Sequence, residues 1–271
     1  MHYGHINALR QAKSMCDELI VGIHSSAEIR IHKTHLPIMG DDERYTLVRA
    51  CRWVDYVVED APYTTSLRMM ELYDIDFAVH GDDLTTTETG ENSYQAIIDN
   101  HQMRYFTRTP GVSSSEIVQW ILTGRPTIDD GPARKVLKMC ENPLRPCQSS
   151  KGKVVGLIDG AWDVLTAADV RLLAAAKSMV DILIIGVKTD ERPNAVLSLA
   201  ERCVVLAGCK YVDRIVDASS QPSGIDVLFS AGEANRVNGL AVTWVIHIGE
   251  NLLDNQEHLI REIHQSRDLY A

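Results

Sequence analysis

The residues best suited to chemistry stand at the start of the chain. His2-Tyr3-Gly4-His5 spells H-x-G-H ahead of an amphipathic run over residues 6–12. The first turn of a helix leaves N–H groups unpaired and carries partial positive charge, and glycine lets a ligand approach the backbone closely. Two imidazoles flanking a glycine there suit a phosphate. A second cluster is Arg108-Thr109-Pro110-Gly111-Val112-Ser113-Ser114-Ser115. It follows a strand-like run and begins another helix-like one. Its serines fit a helix cap with Glu116 nearby. Arg108 and Gly111 go beyond a cap, because arginine presents a planar fork matched to phosphate oxygens. Two further elements are His80-Gly81-Asp82-Asp83, a turn at a strand end, and Lys33 in the loop Ile31-His32-Lys33-Thr34-His35. Each has a plainer reading, as turn scaffolding and as a solvated lysine.

Alternating apolar runs and amphipathic stretches supply the frame that must hold these groups. They predict helices over 4–15, 41–51, 64–73 and 114–122, and strands over 18–23, 54–58, 76–80 and 104–107. Strands separated by helices imply a parallel sheet with crossovers, an α/β Rossmann-like arrangement whose ligands bind beyond the carboxyl ends of the strands. The pattern then repeats. Residues 12–23 (AKSMCDELIVGI) return as 176–187 (AKSMVDILIIGV). Glu43-Arg44 answers Glu201-Arg202, and Cys51-Arg52-Trp53-Val54-Asp55 answers Cys209-Lys210-Tyr211-Val212-Asp213. So long a period means a duplicated domain, not a solenoid. Cys51 and Cys209, equivalent in the two copies, read as packing residues.

The expected organisation is a first domain over 1–124, a linker rich in Gly, Pro, Lys and Ser over 125–152, and a second domain over 153–271. The second copy opens with an apolar run, Val154-Val155-Gly156-Leu157-Ile158-Asp159-Gly160, that has no counterpart in the first. Alignment places the missing strand just ahead of His2. The first domain is therefore expected to lack its first strand, through truncation of the chain or because this copy is compromised.

Composition narrows the function. The chain has 271 residues, 45% hydrophobic and 24% charged, and a formal net charge of −10. Acidity disfavours bulk nucleic-acid binding, so cations that hold an anionic substrate must be local. No apolar run is long enough to span a membrane and none resembles a signal peptide, which points to the cytoplasm. The six cysteines include no C-x-x-C and no zinc-like spacing. Reduced thiols are the plain expectation.

H-Y-G-H with A-L-R-Q-A, Glu43-Arg44-Tyr45, W-V-D, Ala61-Pro62-Tyr63, H-G-D-D and R-T-P-G-V-S-S-S together resemble the ethanolamine-phosphate cytidylyltransferases. The resemblance covers nearly the whole chain, and duplication is itself a mark of that family. It implies two tandem Rossmann-like nucleotidyltransferase domains that transfer CMP from CTP to phosphoethanolamine, giving CDP-ethanolamine and pyrophosphate. By that analogy His2 and His5 contact the CTP phosphates, and Lys33 and Arg108 neutralise phosphate oxygens. Gly4, Asp82, Thr109, Gly111, Val112, Ser113 and Ser114 hold the nucleotide. Mg²⁺ assists through the triphosphate, with no dedicated metal site on the protein. Homodimer formation and internal pairing of the two copies are both compatible with the sequence.

Departures from the family pattern also carry expectations. The D-G-x-F-D approach to H-x-G-H is absent from the first copy, and the hydroxyl run is Ser-Ser-Ser where the family has Ser-Thr-Thr. At the H-x-G-H position the second copy reads Thr166-Ala167-Ala168-Asp169 behind Asp159-Gly160-Ala161-Trp162-Asp163. That copy is expected not to catalyse. The competing readings are an inactive scaffold or regulatory homologue, a choline-phosphate cytidylyltransferase, and an ATP-using H-x-G-H nucleotidyltransferase.

Overall fold

The computed structural model describes residues 1–32, 37–83, 92–126, 129–140, 151–188, 195–219, 222–230 and 244–247, with 259, 261, 263 and 265. The first half runs α1 (Tyr3–Lys13), β1 (Ile20–Ile23), α2 (Ser26–His32), α3 (Asp41–Arg49), β2 (Tyr56–Glu59), α4 (Leu67–Leu72), β3 (Ala78–Gly81), α5 (Gln95–Asp99), β4 (Met103–Phe106) and α6 (Ser114–Thr123). Its strands pair in parallel as β1 with β2 and β3 with β4, in two separate two-stranded sheets. No described strand joins β1 to β3.

The chain continues through α7 (Gly131–Cys140), β5 (Val155–Gly160), α8 (Ala167–Ser178), β6 (Ile182–Val187), α9 (Leu199–Gly208), β7 (Arg214–Asp217), β8 (Val227–Ser230) and β9 (Trp244–His247). These strands form one parallel sheet in the order β7-β6-β5-β8-β9. β5 is central, paired with β6 along its length and with β8 from Gly156 to Ile158. Both β5 and β6 are buried almost throughout, as strands covered on two faces must be. The two halves thus show the same α/β plan, with β5 occupying the place that separates the strand pairs in the first. Residues 131–140, inside the stretch expected to be a linker, form α7 and pack against α9.

The repeat is visible as repeated hydrogen bonding. Asp55 ion-pairs with Lys13 and accepts from Leu19 N, and Asp213 does the same for Lys177 and Leu183 N. Arg44 donates to the His24 carbonyl and Arg202 to the Lys188 carbonyl, each tying its helix to the end of a strand.

The copies meet around Cys51 and Cys209, which form an isolated antiparallel bridge. Arg52 N donates to Gly208 O and Lys210 N to Ala50 O, both at 2.8 Å. Arg52 adds side-chain bonds to the Cys209 and Val212 carbonyls. Ile6 of α1 seats against Gly208, where a Cβ would lie 2.5 Å from its Cδ1. One apolar core runs through both copies, from Tyr3, Ile6 and Leu47 to Leu173, Val204 and Leu206. Cys51 and Cys209 are buried in it, and burial raises both thiols, Cys51 to about 11. They stay protonated and act as apolar packing groups.

Candidate active site

Helix α1 and the turn leading into α6 are stitched together along one helix face. Tyr3 donates its hydroxyl to the Pro110 carbonyl at 3.2 Å, Asn7 Nδ2 to Thr109 Oγ1 at 2.9 Å, and Gln11 Nε2 to the Thr107 carbonyl at 3.0 Å. The spacing 3, 7, 11 puts all three on the same stripe. Arg10 braces Asn7 by donating twice to its Oδ1. Gly4 lies so close to the turn that an added Cβ would meet Val112 Cγ1 at 2.9 Å and the His2 ring at 3.0 Å. The H-x-G-H helix start and the arginine-serine turn therefore face one place.

His2 and His5 stand with ring centroids 3.8 Å apart. His2 N donates to His5 Nδ1 at 3.3 Å. The His2 ring is buried, and its Nδ1 has no hydrogen-bond partner among the described residues. A buried ring nitrogen left unpaired costs free energy unless a ligand meets it. Burial, then the neighbouring His5, holds His2 well below the ordinary histidine value. Burial, then the N-terminal ammonium and Arg108, pushes His5 down to about 3. Both rings are neutral at neutral pH, so each offers one N–H donor without a fixed charge.

The turn itself is shaped by local chemistry. Gly111 has φ +74, a left-handed conformation that glycine adopts without strain. Ser113 caps α6 by accepting from Glu116 N at 3.1 Å, which leaves its own O–H free to donate. Asp82 Oδ1 accepts from Arg108 N at 3.0 Å, and Asp83 takes the Arg108 guanidinium at 2.7 Å. The H-G-D-D turn thus fixes both the backbone and the side chain of Arg108. A cavity of about 540 Å³ opens beside the two histidines and the first residues of α6. His2, His5, Arg44, Ser114 and Ser115 are among its polar walls, β1 lines one side, and Val164, Leu197, Leu259 and Ile263 of the second copy line another.

Of the residues singled out in the sequence, the structure gathers His2, Gly4, His5, Asp82, Arg108, Thr109, Gly111, Val112, Ser113 and Ser114. Lys33 lies outside the described residues. Thr109 is buried and its hydroxyl accepts from Asn7, so it anchors the turn to α1. Sequence reasoning missed Tyr3, Asn7 and Gln11 as the stitches, although their four-residue spacing was in view. It also passed over Asp83 as the partner of Arg108.

The corresponding place in the second copy is closed by its own side chains. Thr166 and Asp169, at the histidine positions, are buried and bond each other as the cap of α8. Trp162, with φ +55, folds its indole against Gly160 and donates to the Gly186 carbonyl. Asp163 accepts from Val196 N and Leu197 N.

Parallel sheets with a phosphate-suited site at the mouths of two helices define a nucleotide-handling α/β protein. The chain belongs to the cytidylyltransferase-like family, whose sequence pattern matches residues 1–120 and 157–270. It is 34% identical to a probable ethanolamine-phosphate cytidylyltransferase of Encephalitozoon cuniculi, over 100% of this chain and 92% of that protein. It is 32% identical to the ethanolamine-phosphate cytidylyltransferase of Dictyostelium discoideum, over 80% of this chain and 69% of that protein. Mouse choline-phosphate cytidylyltransferase A is 35% identical over 45% of this chain and 33% of its own length.

Proposed function

We propose that this chain transfers CMP from CTP to phosphoethanolamine, forming CDP-ethanolamine and pyrophosphate. The observation that carries the reading is the buried His2 Nδ1, unpaired among the described residues, beside His5 at a helix start held against the arginine-serine turn. Relatives that share both halves of the chain are named for the ethanolamine substrate. The choline relative shares less than half of it.

In this reading an oxygen of the phosphoethanolamine phosphate attacks the α-phosphorus of CTP. The bond from that phosphorus to the bridging oxygen breaks, and pyrophosphate leaves with the electron pair. The nucleophile is already anionic, so no general base is needed. The work of the protein is alignment and stabilisation of charge spreading over the phosphoryl oxygens. The neutral His2 and His5 rings donate to those oxygens, and Arg108 supplies fixed positive charge. Gly111 to Ser114 present backbone N–H groups and hydroxyls from the α6 start.

Mg²⁺ fits this donor set as an ion carried on the triphosphate. It would be held by the substrate phosphates with one or two carboxylates, and the carboxylates beside Arg108 are Asp82 and Asp83. When bound, it neutralises charge on the phosphates. No described helix is long and apolar enough to cross a membrane.

The test is product analysis with CTP and either phosphoethanolamine or phosphocholine, on the parent and on His2→Ala and His5→Ala. CDP-ethanolamine is the expected main product. Each substitution should lower kcat on the order of 10²-fold or more while CTP binding changes little, as for donors that act in the transition state. Weaker CTP binding with unchanged turnover would contradict the role of the histidines, and preferential CDP-choline formation would contradict the substrate.

A further inference from the structure

We propose that the closed second copy acts as the positioning platform of the first copy's site through the Arg125–Glu201 ion pair, with Arg125 as the positioning residue. The inference rests on the functional reading above and assigns a task to the half that has lost the histidines.

The argument starts from the repeat. Glu43 and Glu201 are equivalent. Glu43 caps α3 by accepting from Gly40 N at 3.0 Å. Glu201 keeps that duty toward Ser198 N at 2.9 Å and adds a two-armed pair with Arg125, at 2.5 and 2.9 Å. The pair is deeply buried, with side-chain exposures of 10% for Arg125 and 2% for Glu201. Arg125 donates further to the Val196 carbonyl and lies over the Trp120 ring at 4.1 Å. Three kinds of contact thus converge on a residue placed immediately after Gly124, the C-cap of α6.

α6 is the lever. Its far end carries Ser113 and Ser114, and its ten residues form a rod about 15 Å long. A clamp on one end of a rigid helix fixes the direction of the other. Tyr3, within H-x-G-H, lies near enough to Glu201 and Arg125 to feel both charges, and it hydrogen-bonds the turn at Pro110. Val164 and Leu197 line the same cavity as His2 and Ser114. The second copy therefore reaches both helix starts, through packed side chains and a bidentate ion pair of high geometric specificity.

The full chain carrying Arg125→Ala or Arg125→Lys tests this. A parent protein that converts CTP and phosphoethanolamine comes first, and its failure to do so would count against the functional reading alone. Independently of turnover, hydrogen exchange in the substrate-free protein reads the platform. Residues 107–118 should exchange faster in Arg125→Ala, while the β5 and β6 amides keep their protection. In kinetics, the KM for CTP should rise about 5-fold or more, with the KM for phosphoethanolamine unchanged and Arg125→Lys intermediate. A pair that only stabilises the fold would lower the amount of active protein, so kcat would drop with both KM values fixed. That result, or unaltered exchange over 107–118 in folded protein, overturns the proposal. If Arg125→Ala does not fold, the same two readouts on Arg125→Lys decide.

Discussion

His2 and His5 differ from surface histidines in what they cost and what they offer. Both titrate far below about 6.5 in the folded chain, so between their lowered values and about 6.5 the unfolded chain binds more protons. Stability contributed by the neutral rings is complete above about 6.5 and falls as pH drops through that window. The expected observation is that their Cε1–H resonances stay unshifted between pH 5 and 8 in the substrate-free protein. A midpoint near 6.5 for either ring would contradict the described environment. Gly4 makes the complementary case for size. Its absent Cβ leaves room for Val112 at 2.9 Å and His2 at 3.0 Å, so Gly4→Ala must push the turn away from the histidines. Overpacking of this kind costs roughly 1–3 kcal/mol. Thermal melting should register that cost, and kcat/KM for CTP should fall about 10-fold. Unchanged kinetics would show that the close approach is not needed.

At the level of elements, α1 is held to the turn before α6 by Tyr3, Asn7 and Gln11. The Asn7–Thr109 bond is the buried one of the three, and loss of Asn7 removes the partner that Thr109 and Arg10 share. Asn7→Ala should cost about 1–3 kcal/mol of stability, measured by urea unfolding. A cost near zero would mean that the helix and turn are held by apolar packing alone. The same elements show what a sequence reveals. Runs such as residues 182–187, apolar at every position, announce buried strands, and each predicted strand of the first half lies within about two residues of an observed one. The H-x-G-H and R-T-P-G-V-S-S-S segments were legible because glycine and hydroxyl residues mark helix starts. The stitches were not, because Asn7 and Thr109 lie 102 positions apart and only folding makes them neighbours. α7 was hidden for a local reason. Gly131 and Pro132 read as loop punctuation, yet proline is also favoured in a helix's first turn.

For the molecule as a whole, duplication followed by divergence has left two halves with one plan and different interiors. Where the first copy keeps an imidazole nitrogen unpaired among the described residues, the second has a threonine-aspartate cap and a tryptophan turned inward. Such self-satisfied groups have nothing to gain from a phosphate. Isothermal calorimetry with CTP and Mg²⁺ should therefore report one nucleotide per chain, and two would mean that the second copy still binds.

The reciprocal backbone bonds between Arg52 and Gly208 and between Lys210 and Ala50 make this contact resemble that of a symmetric pair of subunits. Because a covalent connection joins the partners, each meets the other at an effective concentration near the millimolar range, whatever the bulk value. Across this face, assembly escapes mass action. Specific activity should hold constant on serial dilution into the nanomolar range, where an equivalent pair of separate chains would come apart.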